Sequence, residues 1–473
     1  MSPEASSPQQ AILQFLTSLQ SPARILVAIS GGSDSAGLLF LLDEAVKAAP
    51  DLKISFCAAT VDHALRAGSA DEAREVADFC ASLGIPHTIL IWQGDKPKTG
   101  IMAAAREARY DLLAAAAKNF KADLIVTGHT FDDQRETLAM RGLRSEQVST
   151  GIADAVLFDR HIWILRPLLG SRRADIRAYL KTGGISWLDD PSNEDVTYER
   201  VRMRQRLAEE VASKAGAETE GQRLLLAADA AAWLDLHFRL HGGVLGHISP
   251  DGLRAEAAVL NYALGRLAAV FGGRDFPPGG KQMDGILAFI AAAKPGRMTA
   301  GRVVFDLRRS GLYLARESRG ILPLSLQPGE RSVWDGRFEV VNNSPFGVRI
   351  EAAGMNAGSG AAGSPKREEE CSATTESRRS GSCYEHSNAA RRDDTLPKAA
   401  LKRATAALPV VLPMAGTVFP DDLAGRVRLT PYSAPFDRFL TRFDFIFANR
   451  LSAVFATAPY ARLPLRSIDG KTI

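Results

Sequence analysis

Cysteine is scarce in this chain: four in 473 residues, with no C-x-x-C pair. Neither a zinc site nor a cysteine-ligated iron–sulfur cluster is therefore indicated. Cys57 and Cys80 sit in apolar patterns and are expected to be buried thiols, while Cys371 and Cys383 lie in a polar tract. No apolar run approaches about 18 residues, so no membrane span and no membrane partner are expected. The opening MSPEASSPQQ lacks a basic start and a long apolar core, which predicts no signal peptide and a cytoplasmic protein. Charge of one sign is also scarce. The formal net charge of +4 permits a nucleic-acid partner without requiring one. What the chain does have is apolar material, 46% of residues, at a length that allows about three domains.

A further absence is local. In ILVAISGGSDSAGLL, Ile25–Leu39, a β-prone apolar run ends at Ser-Gly-Gly-Ser-Asp-Ser and a helical pattern resumes. The common P-loop ends in Gly-Lys-Ser/Thr, and this loop has no lysine. Gly31 and Gly32 let backbone N–H groups approach a ligand, and a helix opening at Ser35 favours an anion there. Asp34 would repel a phosphate unless a cation lies between them. An ordinary strand–turn–helix link needs the glycines but not this carboxylate.

The first part of the chain alternates strand and helix. Strands are predicted over Ile25–Ile29, Ile54–Val61, His87–Trp92 and Asp123–Thr127. Helices are predicted from Ser35, from Ser69 to Gly84, over Ile101–Phe120 and over Phe131–Leu143. Ser69 and Glu72 have capping-box spacing. The rhythm predicts an α/β fold, a parallel sheet with helices on both faces, occupying residues 1–211. A smaller, mainly helical domain is expected over 212–330, with helices near Leu224–Leu240 and Met283–Ala293 and strands in Arg302–Leu314. A strand-rich extension follows over 331–352, then a disordered low-complexity tract over 353–400, then a C-terminal region, 401–473, of unknown role.

Three polar stretches fall at predicted strand ends, where parallel sheets bind ligands. The first is SGGSDS. The second is VDHALR, Val61–Arg66, where Asp62, His63 and Arg66 either face a nucleotide or form a capped turn. The third is GHTFDDQRET, Gly128–Thr137, which places His129 one turn from Asp133. Asp133 and Glu136, at i, i+3, share a helix face. They can bind a cationic substrate or a metal, or simply complement the helix dipole. AREARY puts Arg106 and Arg109 at i, i+3, with Arg109 able either to stabilise phosphate charge or to form a surface salt bridge. Downstream, Arg172, Arg173, Arg177, Arg200, Arg202, Arg204 and Arg206 form either a phosphate-contacting surface or a well-solvated helix face.

Ser30-Gly31-Gly32-Ser33-Asp34-Ser35 resembles the PP-loop, S-G-G-x-D-S, of the ATP pyrophosphatases, the adenine nucleotide alpha hydrolase-like class. With VDHALR, ARY, GHTFDDQRET, RPLL and DPSN, in that order, Ile25–Arg206 resembles the tRNA(Ile)-lysidine synthetases. Thr130 stands where that family has a second histidine, and Val201 where it has an asparagine. The resemblance implies ATP and Mg²⁺ as cofactors, with free L-lysine and an isoleucine tRNA carrying a CAU anticodon as partners; homodimerisation is left open. It implies nucleotide binding by Ser30, Gly31, Gly32, Ser33, Asp34, Ser35, Asp62 and His63, with Asp34 on the metal. It further implies catalytic roles for Asp34, His129 and Arg109, lysine binding by Asp133 and Glu136, and tRNA contact by Arg200, Arg202 and Arg204. The rival readings are a 2-thiocytidine-type PP-loop enzyme, whose cluster cysteines are missing here, and a non-catalytic nucleotide-binding protein.

Overall fold

The computed structural model describes residues 6–144, 151–188, 220–355, 396–414, 426–468 and 471–472. They divide between two compact units. One comprises residues 1–219 with 439–442 and 461–473; the other comprises 220–438 with 443–460. No helix among the described residues is long and apolar enough to cross a membrane.

The first unit is built on a seven-stranded sheet. In chain order its elements are α1 (Pro8–Ser18), β1 (Ala23–Ala28), α2 (Ser33–Ala48), β2 (Ile54–Asp62), α3 (Ser69–Ser82), β3 (His87–Ile91), α4 (Ile101–Phe120), β4 (Leu124–Thr127), α5 (Phe131–Arg144), β5 (Ala155–Phe158), β6 (Ile162–Leu165) and α6 (Arg173–Thr182). The strands β6, β4, β1, β2 and β3 lie side by side and parallel. These five strands are the expected parallel sheet, and two antiparallel strands extend it. At the β6 edge, β5 pairs antiparallel, and Phe439–Thr441 returns from the far end of the sequence to pair antiparallel with β5. Phe439 packs on Tyr110 and Phe158, with ring centroids 5.3 and 5.1 Å away. This covers an edge that would otherwise present unpaired backbone groups.

Leu26, Ala28, Cys57, Ala59 and Ile125 pack against Tyr110, Leu113, Ala116 and Ala117 of α4. Their alternates Ile25, Val27, Ala58, Leu124 and Val126 are equally buried. Strand side chains alternate faces, so the sheet is covered on both. Cys57 and Cys80 are buried free thiols, as expected, and burial pushes both up to about 11. Cys371 and Cys383 lie outside the described residues.

Local signals were off by a few residues in places. α2 opens at Ser33, not Ser35, with Gly32 at its N-cap. The Ser69–Glu72 capping box does not form. Gly68, at φ +89°, is the N-cap of α3, and Glu72 instead takes two hydrogen bonds from the Arg66 guanidinium, at 2.8 and 2.7 Å. A side chain two turns of backbone away offers a bidentate charged partner, which outcompetes a single N–H. Asp123 is not in β4; its Oδ2 accepts the N–H of Arg24 at 2.7 Å and so tethers the start of β1.

In the second unit, helices Glu220–His237, Ala257–Gly272 and Gly280–Ala291 accompany a five-stranded antiparallel sheet that includes Val303–Arg308 and Gly311–Arg316. The expected helix over Leu224–Leu240 stops at His237, and Phe238–His241 is a strand. Phe338–Asn342 pairs with Val427–Pro431, and Val348–Ala352 with Pro409–Pro413. Residues after 401 therefore complete sheets begun in the 331–352 extension. Residues 356–395 of the expected disordered tract lie outside the described residues, but its end does not hold as drawn: Lys398–Ala406 is a helix.

Candidate active site

The neighbours β1 and β4 are joined to the rest of the sheet in opposite directions, so a crevice opens beyond their carboxyl ends. The loop Ser30–Ser35 leaves β1 there, and Gly128–Thr130 leaves β4. The two loops touch. A Cβ on Gly128 would stand 2.7 Å from the Asp34 carbonyl oxygen and 3.0 Å from Ser35 Cα, so only glycine permits this approach.

The SGGSDS loop is held by its own hydroxyls. Ser35 Oγ accepts the N–H of Ser30 at 3.1 Å and donates to the Gly32 carbonyl at 3.1 Å. Gly31 takes φ +83°, and its carbonyl accepts the N–H of Leu188 at 3.0 Å. The Ser35 N–H donates to the Gly32 carbonyl at 3.1 Å, whereas the N–H groups of Ser33 and Asp34, first in α2, have no carbonyl before them in the helix to bond. Free N–H groups at a helix start can receive an anion.

α6 closes over the loop. Gly37 makes that possible: a Cβ there would lie 2.3 Å from Ile176 Cγ2, so α6 packs directly on the backbone of α2. The start of α6 is tied to the start of α5. Asp132 Oδ2 accepts the Arg173 N–H at 2.8 Å, and the Ser171 carbonyl accepts the Phe131 N–H at 2.9 Å. Arg177 Nε then donates to Ser33 Oγ at 3.0 Å.

Arg173 is the centre of the arrangement. Its Nε donates to Asp34 Oδ2 at 2.8 Å, its Nη2 lies 3.4 Å from Asp133 Oδ1, and its Nη1 lies 3.7 Å from Glu136 Oε1. One guanidinium thus joins the PP-loop aspartate to both acids of GHTFDDQRET. Asp133 and Glu136 are buried, and Asp34 and Arg173 nearly so. Three carboxylates against one guanidinium leave a formal charge of −2. Burial, reinforced by the neighbouring Asp133, raises the Asp34 pKa despite the pull of Arg173. The three carboxylates hold Arg173 firmly protonated, above its ordinary value, against the opposing effect of burial.

Asp133 has two duties. Its Oδ2 accepts the Thr130 N–H at 2.8 Å and the Thr130 hydroxyl at 2.9 Å, which caps α5, while its Oδ1 faces Arg173. The reading in which that acid serves the start of the helix is realised here, and its other oxygen faces a cation of the protein itself. Thr130 is fully buried and its hydroxyl donates to Asp133, which accounts for a hydroxyl-bearing side chain at this position. His129 Nδ1 shares a hydrogen bond with Thr127 Oγ1 at 2.9 Å.

The other candidates are spread more widely. Asp62 Oδ1 accepts the Ala64 N–H at 2.8 Å, which supports a turn with Ala64 at φ +50° and matches the capped-turn alternative. His63 Nδ1 is buried without a hydrogen-bond partner. Its pKa is lowered by burial and by the charge of Arg109, which places Arg109 beside His63. Burial and Arg106 lower the Arg109 pKa in turn. Arg200, Arg202, Arg204 and Val201 lie outside the described residues.

The donor set suits a hard cation. It consists of carboxylate oxygens in surplus negative charge, next to a phosphate seat. Among the described residues no three acidic, histidine or cysteine side chains gather to hold a metal unaided. Mg²⁺ is usually held by one or two carboxylates together with phosphates and water, a donor set to which Asp34 could contribute.

The sequence compares with known proteins as follows. The PP-loop domain family matches residues 5–211. The chain is 45% identical over 361 residues to tRNA(Ile)-lysidine synthase of Rhizobium meliloti (strain 1021), covering 72% of this chain and 78% of that one. It is 36% identical over 465 residues to the enzyme of the same name from Mesorhizobium japonicum, covering 93% and 94%. For that of Bartonella quintana the identity is 32% over 375 residues, covering 70% and 79%.

Proposed function

The chain belongs to the tRNA(Ile)-lysidine synthase family, and from that premise we propose that it uses ATP to ligate free lysine to C2 of the wobble cytidine in an isoleucine tRNA with a CAU anticodon. ATP adenylates the C2 carbonyl oxygen and releases pyrophosphate. The lysine ε-amine then adds at C2, the C2–oxygen bond breaks, AMP leaves and one proton is lost. The observation that carries this reading is the meeting of Asp34, Asp133 and Glu136 on Arg173, which brings a phosphate seat and an acidic pocket to one crevice.

Each residue has a definable task. The Ser30–Ser35 frame orients the triphosphate through first-turn N–H groups. Mg²⁺, held by Asp34, would screen the charge gathering on the leaving pyrophosphate. Asp133 Oδ1 and Glu136 receive the lysine ammonium, and Asp133 Oδ2 fixes that pocket to the end of α5. Free lysine has a pKa of about 10.4, so its amine must lose a proton before attack. His129, in the Gly128–Thr130 loop, or a neighbouring carboxylate takes it. Arg109, next to His63, lies on the β2 side of the crevice and stabilises phosphate charge, with Asp62 and His63 shaping the nucleotide pocket there. The cytosine reaches the crevice unstacked, at low cost in a single-stranded anticodon loop. Arg200, Arg202 and Arg204 supply sequence-independent contacts to the tRNA backbone.

The test is pyrophosphate release with ATP, lysine and tRNA, each omitted in turn. Release that needs the CAU-anticodon isoleucine tRNA, followed by lysidine only when lysine is added, supports the reading. Release that is indifferent to tRNA overturns it.

A further inference from the structure

Arg173 occupies the place where two external cations are needed. Its guanidinium touches the acid assigned to the metal and both acids assigned to lysine, within one buried cluster. A divalent ion and one ammonium together carry the charge of three carboxylates. Once both are bound, the carboxylates no longer need the arginine, and the nearest anion for it is the phosphate chain on the Ser30–Ser35 loop. The side chain can turn without moving its helix. Its backbone N–H is pinned by Asp132, α6 is seated on Gly37, and Arg177 keeps a separate hold on Ser33.

We propose that Arg173 is a placeholder cation that couples the two halves of the site. It holds Asp34, Asp133 and Glu136 together in the empty enzyme, and binding of either metal–nucleotide or lysine releases it and so prepares the pocket for the other. A contact shared by two sites makes their affinities reciprocal. The coupling runs through one named side chain, because that guanidinium reaches all three acids. In this scheme Arg173 is a positioning residue. It rests on the lysine pocket assigned above.

The experiment is calorimetric titration of the full chain with L-lysine, alone and saturated with Mg²⁺ and α,β-methylene-ATP, which cannot release pyrophosphate. In the native protein the nucleotide is expected to tighten lysine binding by a factor in the usual coupling range of about 5 to 150. Arg173→Met should bind lysine without nucleotide about as tightly as the native protein does with it, and the factor should fall to near 1. Arg173→Lys keeps the charge but reaches fewer carboxylates, so an intermediate factor is expected; it also serves if the Met variant does not fold. A native factor of 1 overturns the coupling and leaves the lysine pocket standing, as does an Arg173→Met protein that binds lysine more weakly with its factor unchanged. If native protein binds lysine under neither condition, the pocket assignment itself fails and this inference with it.

Discussion

The two units each contain a buried cluster of arginine and acid, and the two clusters are inverses. In the first unit one arginine, Arg173, serves three carboxylates. In the second, one carboxylate, Asp335, serves Arg302, Arg316 and Arg337. The second cluster is closed. Asp335 Oδ1 and Oδ2 accept from Arg316 at 2.9 and 3.0 Å, and Oδ2 also accepts from Arg337 at 2.7 Å. Backbone carbonyls take up the surplus donors: Arg337 Nη2 donates to Ala407 at 2.7 Å, and Arg316 Nη1 to Glu317. Burial still lowers the Arg337 pKa to about 10, which leaves it charged at neutral pH. Arginine can spend excess donors on carbonyls. A carboxylate in excess has only N–H and O–H groups to turn to, and in the first cluster Thr130 provides two of them while the formal charge stays at −2. The second cluster joins pieces of a fold, whereas the first is the one we propose to receive ligands.

The comparison breaks first at Asp34. Asp34→Asn removes the metal-binding charge, so tRNA-dependent pyrophosphate release should be lost. Its raised pKa means that ionised Asp34 disfavours the folded state at neutral pH, a cost that appears as pH rises through the unfolded value. The variant should therefore melt no lower than native protein. A fall in melting temperature with activity retained would make this cluster structural like the other.

Asp335→Ala should behave in the opposite way. It strands the buried guanidinium groups of Arg316 and Arg337 and the half-buried one of Arg302, and removing one partner of a buried pair costs about 3–5 kcal/mol. Chemical denaturation should show that loss in the transition of the second unit. A variant of native stability would show that the carbonyls alone suffice.

A smaller effect is expected at Gly37. An alanine methyl 2.3 Å from Ile176 Cγ2 overpacks the contact that seats α6, at about 1–3 kcal/mol. The gain in helix propensity of up to about 1 kcal/mol offsets part of this. Thermal melting should show a net loss, which Ile176→Ala on the same background partly reverses. A Gly37→Ala protein of unchanged stability would mean that α6 is not held by this contact.

Much of the open site was legible because its chemistry is written in contiguous strings. SGGSDS and GHTFDDQRET declare themselves through residue types that an ordinary turn would not need, and the strand–helix rhythm sets both at strand ends. Arg173 was visible only as one of seven downstream arginines, because what selects it is tertiary. The signals were a glycine inside α2 and an apolar Ile176 on α6, neither of which names its partner. Asp62 and Glu72 went to local turns and ion pairs that spacing alone cannot rank. The pairing of Phe439–Thr441 with β5 spans nearly 300 residues, and no local pattern announces a strand that distant from its sheet.

The central claim is that the three acids divide the work, Asp34 for metal and nucleotide, Asp133 and Glu136 for lysine. Its most direct test is the lysine and ATP dependence of lysidine formation by Glu136→Gln. A charge-assisted hydrogen bond is worth about 1.5–3 kcal/mol, so half-saturation for lysine should rise roughly 10- to 100-fold while that for ATP stays put. A variant that loses ATP binding and keeps native lysine dependence would contradict the division and give Glu136 to the nucleotide.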